Sequence, residues 1–228
     1  MNLRLLQSFY DGPDFLAKLR AKVDVLKHLE NDEYDRDKQI LDVYAVDPIR
    51  YIEDFALIKV NKAQGSPPKP FFLFDYQKKI ILKIMELENA DQESELLIDK
   101  PREMGITWLL CAYFEWRFLF TPNYSSFILS RSEEEVDDGT RTPDGSIFGK
   151  FRWMLDRIPK YLIPISYQRK VIRGTTTDMN LKLINPTIGS SITGSSTNSE
   201  AGRSRRYSTT WVDEVFAIDR FSEVYRAL

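Results

Sequence analysis

The fold is decided by residues 96–110, which read LLIDKPREMGITWLL. A short apolar run at 96–98 comes first, a turn that contains Gly105 follows, and a longer apolar run begins at Trp108. Short apolar runs bounded by polar residues are typical of buried strands, whereas longer runs favour a helix. The pattern therefore predicts a strand, a loop and a helix, in that order.

The loop agrees in part with the phosphate-binding pattern G-x-x-x-x-G-K-[ST], whose glycines admit a phosphate and whose hydroxyl binds magnesium. Within residues 100–107, Gly105 and Thr107 stand at fixed positions of the pattern. Ile106 occupies the lysine position, so the phosphates would lose their usual cation. Lys100 stands at the first position, from which its long side chain can replace that cation, and Arg102 is a second cation in the loop. The alternative is an ordinary strand–turn–helix junction in which Thr107 caps the helix.

Another element gives this pattern more weight. The β-rich run TTWVDE, residues 209–214, ends in Asp213 and Glu214. In phosphate-loop ATPases an aspartate at such a position holds hydrated magnesium, and an adjacent carboxylate activates the attacking water. We therefore predict that Thr107 and Asp213 contact magnesium and that Glu214 is the catalytic base. The alternative is an acidic pair that closes an exposed strand.

The first part of the chain is predicted to be helical. Residues 14–58 combine charged side chains with apolar ones at helical spacing, and Pro48 stands where a third helix would begin. The stretch GSPPKP at 65–70 predicts a loop, and Asp75 is positioned to cap the next helix.

Strands and helices alternate in the remainder. We predict strands for SFILS, QRKVIR, LKLIN, SSITGSS and STTWVDE, helices for 148–158 and 216–228, and a loop at 139–146. Alternating strands and helices, with some hairpin strands, predict an α/β fold with a mostly parallel sheet flanked by helices. The helical N-terminal region would span 1–64 and the core 65–228.

Composition excludes several classes of site. The 32 basic and 34 acidic side chains nearly cancel, so no overall charge attracts nucleic acid. The single histidine, His28, and the single cysteine, Cys111, exclude a His/Cys metal cluster and an internal disulfide within one chain. No apolar run has the length of a membrane span, and the first residues lack the apolar stretch of a signal peptide. We therefore expect an intracellular protein with Cys111 in its core.

Further motifs surround the loop: the aromatic segment DPIRYIEDF, a proline-containing stretch before it, the serine-ended strand FILSRS after it, and the Asp–Glu strand. The proline-containing stretch carries Pro70, Phe71, Leu73, Tyr76 and Gln77. Together with the variant loop, these motifs resemble the large terminase subunit of tailed bacteriophages, the ATPase that drives DNA into an empty capsid. In that family a lysine at the first position of the loop can replace the missing one, which is the arrangement of Lys100 and Ile106.

The resemblance implies a RecA-like P-loop NTPase fold that binds ATP and Mg²⁺ and hydrolyses ATP, with Lys100 and Glu214 as catalytic residues. By the same resemblance, Gln77 reads the adenine edge and Phe74 or Tyr76 lies near the base. The alternative for Gln77 is a polar residue on the outer face of its helix. The implied ATP-binding set is Tyr76, Gln77, Lys100, Pro101, Arg102, Glu103, Met104, Gly105, Ile106 and Thr107.

The family also places an arginine shortly before the acidic pair, where it reaches the ATP of a neighbouring subunit and takes part in catalysis. Arg203, in EAGRSRRYS, corresponds to this arginine. Arg205 and Arg206 are alternatives, because the order of glycine and arginine differs from the family's. A solvated basic loop or a contact with a DNA phosphate would also explain these arginines.

As partners, the resemblance implies double-stranded DNA, the portal protein, the small terminase subunit and further copies of the chain in a ring, in the host cell cytoplasm. The chain ends at Leu228, soon after Glu214. We therefore expect an N-terminal portion without a nuclease domain, monomeric in isolation and unable to cleave DNA. Two rival functions remain, a helicase-like P-loop ATPase and a non-enzymatic adaptor with a degenerate nucleotide site.

Overall fold

The computed structural model describes the chain from residue 43 onward, with gaps. The described residues are 43–60, 67–90, 92–99, 101, 103–159, 162, 177–196, 206–215 and 218. The chain divides into two compact units, Met1–Leu109 and Leu110–Leu228. The predicted strand QRKVIR, the helical region before residue 43 and nearly all of the helix at 216–228 lie outside the described residues. The boundary between 1–64 and 65–228 stays a prediction.

The first unit begins, in its described part, with a helix and a two-stranded ladder. These are α1 (Pro48–Phe55), β1 (Leu57–Ile58) and β2 (Lys69–Pro70). The predicted start of α1 is confirmed, because Pro48 takes the first turn and the Asp47 side chain accepts a hydrogen bond from the Arg50 N–H (3.0 Å). The predicted helical region runs too far, however, since β1 pairs antiparallel with β2. The predicted loop at 65–70 likewise ends in a strand, on which proline is tolerated because the ladder has open edges.

The helix α2 (Asp75–Glu88) is confirmed, but its cap lies one residue earlier than predicted. Phe74, not Asp75, is the N-cap, and its N–H donates to Oε1 of Gln77 (3.0 Å). A side chain at the third helical position that reaches back to the cap satisfies a donor that the helix leaves unpaired. Gln77 therefore stabilises the start of α2.

The strand predicted at 96–98 is wrong. Residues 93–99 form no strand within the described part of the chain, and Leu96 and Leu97 are 40% and 69% exposed. An apolar run gains stability as a strand only when a sheet buries it, and these two side chains are not buried. The helix predicted after the loop is confirmed as α3 (Ile106–Phe120), which begins in the first unit and continues into the second.

The second unit is built on one sheet of five described strands. Its elements after α3 are β3 (Ser125–Ser130), α4 (Glu133–Val136), α5 (Ile147–Leu155), β4 (Asp178–Met179), β5 (Lys182–Asn185), β6 (Ser190–Ser196) and β7 (Thr209–Val212). The strand order is β4-β5-β6-β3-β7, with β3 parallel to both β6 and β7. The pairs β4–β5 and β5–β6 are antiparallel.

The α/β class with flanking helices is confirmed, but the sheet is mixed rather than mostly parallel. The cause is the short turn at 186–189, which joins β5 directly to β6 as a hairpin, whereas parallel neighbours need a longer crossover. The predicted helix at 148–158 is α5, which begins one residue earlier and ends at Leu155. Its start is set by Ser146, whose side chain accepts a hydrogen bond from the Gly149 N–H (3.0 Å).

Side chains pack on both faces of the sheet. On one face, Phe114 of α3 stacks on Trp211 of β7 with ring centroids 5.9 Å apart. Gly194 of β6 lies under α4 and α5, so closely that a Cβ there would be 2.5 Å from Val136 and 2.7 Å from Phe148. On the other face, Phe127 and Leu129 of β3 pack with Tyr207, Val212 and Ile218.

Cys111 is buried, as predicted. Among the described residues, no helix has the length and apolar character needed to cross a membrane.

A fully buried arginine joins α5 to the loop after α4 and to the β4–β5 hairpin. Arg152 donates to both carboxylate oxygens of Asp137 (2.7 and 2.9 Å) and to Oδ1 of Asp178 (2.8 Å). Arg141 in turn bridges Asp178 and Asp156. Burial opposes ionisation of Asp137, but hydrogen bonds from Arg152 and from the Leu181 N–H outweigh burial and lower the pKa of this carboxyl.

We predict that Asp137→Asn lowers the free energy of unfolding by about 3–5 kcal/mol, because it leaves the Arg152 guanidinium buried without a full counter-charge. The matched control Asp156→Asn breaks a half-buried pair and should cost about 1 kcal/mol or less. Urea denaturation at neutral pH compares the two variants.

The pH dependence checks the same cause. Since the folded pKa of Asp137 is lowered, its stabilisation is present above the unfolded value, about 3.9, and is lost as the pH falls through the folded pKa. The difference between Asp137→Asn and the unmodified chain should therefore shrink in acid. Equal costs for Asp137→Asn and Asp156→Asn at neutral pH would contradict this assignment.

Candidate functional site

The loop before α3 has a left-handed backbone at two positions. Glu103 has φ 66° and Gly105 has φ 70°. Glycine adopts this conformation without steric cost. In addition, a Cβ at Gly105 would lie 3.2 Å from Nε2 of Gln77, which is a tight contact. The structure thus explains one of the two residues that match the phosphate-binding pattern. Lys100 and Arg102 lie outside the described residues.

The turn is attached to the start of α2 through the carbonyl oxygen of Met104. The Tyr76 hydroxyl donates to this oxygen (2.9 Å), and Nε2 of Gln77 lies 3.3 Å from it. The Tyr76 ring stacks on Phe74 with centroids 5.8 Å apart and planes at 7°. Burial raises the pKa of the Tyr76 hydroxyl, so this group remains a donor at neutral pH.

Gln77 does not lie on the outer face of its helix, which removes the alternative considered from the sequence. Its side chain is 2% exposed, and its amide bonds the Phe74 N–H at one end and the Met104 carbonyl at the other. An amide has two donors and two acceptor lone pairs, so each end keeps capacity for one more hydrogen bond. Adenine recognition by Gln77 is therefore compatible with these contacts and stays a prediction.

The helix α3 begins one residue before Thr107. The Leu109 N–H donates to the Gly105 carbonyl (2.9 Å), which makes Gly105 the residue that caps the helix and excludes Thr107 as the cap. The N–H groups of the first helical residues have no acceptor within a helix and favour an anion there. Thr107 lies in the first turn of α3 and is partly exposed.

Ile106 explains the missing lysine. Its side chain is only 4% exposed. An ammonium group at this position would have to leave water, which costs several kcal/mol without a partner. An apolar residue is therefore the physically suitable one at position 106, and a cation for the phosphates has to come from elsewhere in the chain.

In the second unit, the parallel strands β6, β3 and β7 end at the same edge of the sheet. This is the edge at which open α/β sheets bind ligands. Asp213 follows β7 there and continues its pairing, since its N–H donates to the Leu129 carbonyl (2.8 Å). Glu214 is exposed and has φ 50°, an uncommon conformation for a residue other than glycine. Residues in such uncommon backbone conformations cluster at functional sites, and they persist only where the surrounding structure holds them.

The same edge carries a polar group that was not predicted from the sequence. The Ser130 hydroxyl, at the end of β3, donates to Oε2 of Glu135 (3.0 Å), and Arg131 forms an ion pair with Glu135. The spacing of four residues between arginine and glutamate at a helix start was the signal that could have indicated the pair. Arg206 is exposed, whereas Arg203 and Arg205 lie outside the described residues.

No protein-family model matches the chain, and no curated protein is significantly similar to it. The similarity to terminases inferred from motifs therefore stays a prediction.

We predict that Ile106→Lys destabilises the chain by about 3 kcal/mol or more without increasing ATP hydrolysis, because the ammonium would be buried. The control Ile106→Leu conserves volume and should cost less than about 1.5 kcal/mol. Thermal unfolding and a phosphate-release assay measure the two effects. A stable Ile106→Lys chain with faster hydrolysis would show that position 106 faces the phosphates.

Proposed function

We propose that this chain is the ATPase motor domain of a viral DNA-packaging terminase, which hydrolyses ATP to move double-stranded DNA into a procapsid. The observation that supports this proposal most is the turn at 103–105. It has a left-handed glycine directly before a helix N-terminus and is bonded to the residue that the family uses to read adenine, Gln77. A left-handed glycine directly before a helix N-terminus is an arrangement that can bind a phosphate group.

ATP and magnesium fit the residues present. Gly105 has no Cβ, so its backbone can approach a phosphate closely, and the N-terminus of a helix such as α3 favours an anion. The Thr107 hydroxyl and the Asp213 carboxylate are the kinds of oxygen ligand that Mg²⁺ prefers. The bound metal would neutralise charge on the phosphates. We propose that the chain has the P-loop NTPase variant of the α/β class.

In the proposed mechanism, Glu214 accepts a proton from the attacking water, and Lys100 supplies the positive charge that Ile106 cannot. Arg203 stabilises charge on the γ-phosphoryl group of the neighbouring subunit's ATP, as an arginine finger does. The full catalytic rate then requires a closed head-to-tail ring of copies, assembled with the portal protein and the small terminase subunit on the capsid in the host cytoplasm, whereas the isolated chain hydrolyses ATP slowly.

A second candidate is a non-enzymatic adaptor with a degenerate nucleotide site. The observation in its favour is the burial of Ile106, which removes the usual phosphate cation from the loop. A helicase-like P-loop ATPase would contain the same elements. ATP hydrolysis that depends on Glu214 is expected of either ATPase and would exclude the adaptor.

We predict that Glu214→Gln retains ATP affinity and lowers hydrolysis by at least about a hundredfold, because the amide has the same shape but cannot accept the proton. Asp213→Ala should instead weaken the magnesium dependence of ATP binding. The control is Glu134→Gln, an exposed glutamate of α4 with the same change in charge. Single-turnover hydrolysis and equilibrium binding are compared for all three. Normal hydrolysis by Glu214→Gln would show that the catalytic base is another group.

A further inference from the structure

Two side chains of α2 converge on one backbone oxygen in the proposed phosphate loop. The Tyr76 hydroxyl and the Gln77 amide both point to the Met104 carbonyl, at 2.9 and 3.3 Å, across more than twenty residues of sequence. A carbonyl oxygen has two lone pairs, so it can accept both bonds at once. Glu103 and Gly105, which flank Met104, are the two left-handed positions among the described residues of the loop.

The donors are themselves fixed. Gln77 is held by the Phe74 N–H at the other end of its amide, and the Tyr76 ring lies parallel to the Phe74 ring. Because glutamate rarely adopts a positive φ, the conformation at Glu103 needs support from outside the loop. The bonds to the Met104 carbonyl provide such support.

We propose that Tyr76 is a positioning residue for the phosphate loop, whose hydroxyl holds the Met104 carbonyl and thereby keeps the left-handed turn at Gly105 in front of α3. This assigns to Tyr76 a role different from the contact with the base that the motif resemblance implies. The proposal rests on the proposed function for the statement that the loop binds phosphate. The hydrogen-bonded turn itself can be tested without any nucleotide.

The functional consequence is preorganisation. A turn that is already formed aims its N–H groups before the ligand arrives, so loss of the turn affects the positioned, reacting state more than simple binding. Loss of the Tyr76 hydroxyl should therefore lower kcat about tenfold or more, with KM changed less than twofold. A residue that only contacts the base would give the opposite division, a raised KM with kcat unchanged.

The decisive experiment is hydrogen–deuterium exchange of the full chain without nucleotide. Tyr76→Phe keeps the ring and removes one hydrogen bond, so the peptide covering 103–109 should exchange about fivefold faster. The matched control is Tyr44→Phe, which removes the bond from the Tyr44 hydroxyl to Asp54 (2.9 Å) in the same unit and should leave 103–109 unchanged. Gln77→Glu, which replaces the second donor by an acceptor, should also accelerate exchange at 103–109.

Unchanged exchange at 103–109 in Tyr76→Phe would overturn the proposal, and so would an increase spread evenly over the chain, which marks a general loss of stability. A raised KM with unchanged kcat would also overturn it. If the unmodified chain binds no nucleotide at all, the proposed function fails, and the exchange measurement alone decides whether Tyr76 holds the turn.

Discussion

The packing of α3 on the sheet of the second unit rests on the stacking of Phe114 on Trp211. It fixes α3 against β7, the strand that ends at Asp213 and Glu214. Aromatic pairs of this kind contribute about 0.5–1.5 kcal/mol beyond the area that they bury. The same helix begins immediately after the turn at Gly105. Within the second unit, this helix therefore packs beside the strand that carries the proposed magnesium and base residues.

Burial at Ile106 explains why the chain departs from the usual phosphate-binding pattern. A lysine in a phosphate loop stabilises the phosphates only if its ammonium group faces them. The side chain at 106 faces the protein interior instead. A charged group there would be opposed by desolvation. The same physical rule allows Arg152 to be buried in the second unit, because two aspartates surround its guanidinium with hydrogen bonds. Both position 106 and Arg152 are buried, and the two sites differ in the charged partners that surround the side chain.

The sequence was informative wherever a local pattern determines a local structure. The start of α1 at Pro48 and the apolar strand β3 were both predicted from residues a few positions apart. Errors arose where distant partners decide. The apolar run at 96–98 reads as a strand but remains exposed. Hairpin strands were predicted, but the prediction gave them too little weight, since the β5–β6 hairpin makes the sheet mixed rather than mostly parallel.

The candidate site likewise combines residues that local motifs predicted with contacts between distant segments that they did not. Gly105, Thr107, Asp213 and Glu214 were recognised from short motifs, and the structure adds the left-handed backbone at Gly105 and Glu214. The bonds from Tyr76 and Gln77 to the Met104 carbonyl could not be predicted, because they join segments far apart in sequence through a backbone oxygen that no side-chain pattern marks. The pairing of Arg152 with Asp137 and Asp178 was not predicted either, because these residues are also far apart in sequence.

Titration with a fluorescent ATP analogue tests most directly whether the turn at Gly105 binds the phosphates of Mg²⁺-ATP. The unmodified chain should show saturable binding that is stronger with magnesium. Gly105→Ala should weaken binding at least about tenfold, since the added Cβ strains a left-handed residue close to Gln77. Gly139→Ala, at a glycine with φ 74° in the second unit, imposes the same backbone strain away from the loop and should bind normally. Absence of any response from the unmodified chain, or equal binding by Gly105→Ala, would contradict the account.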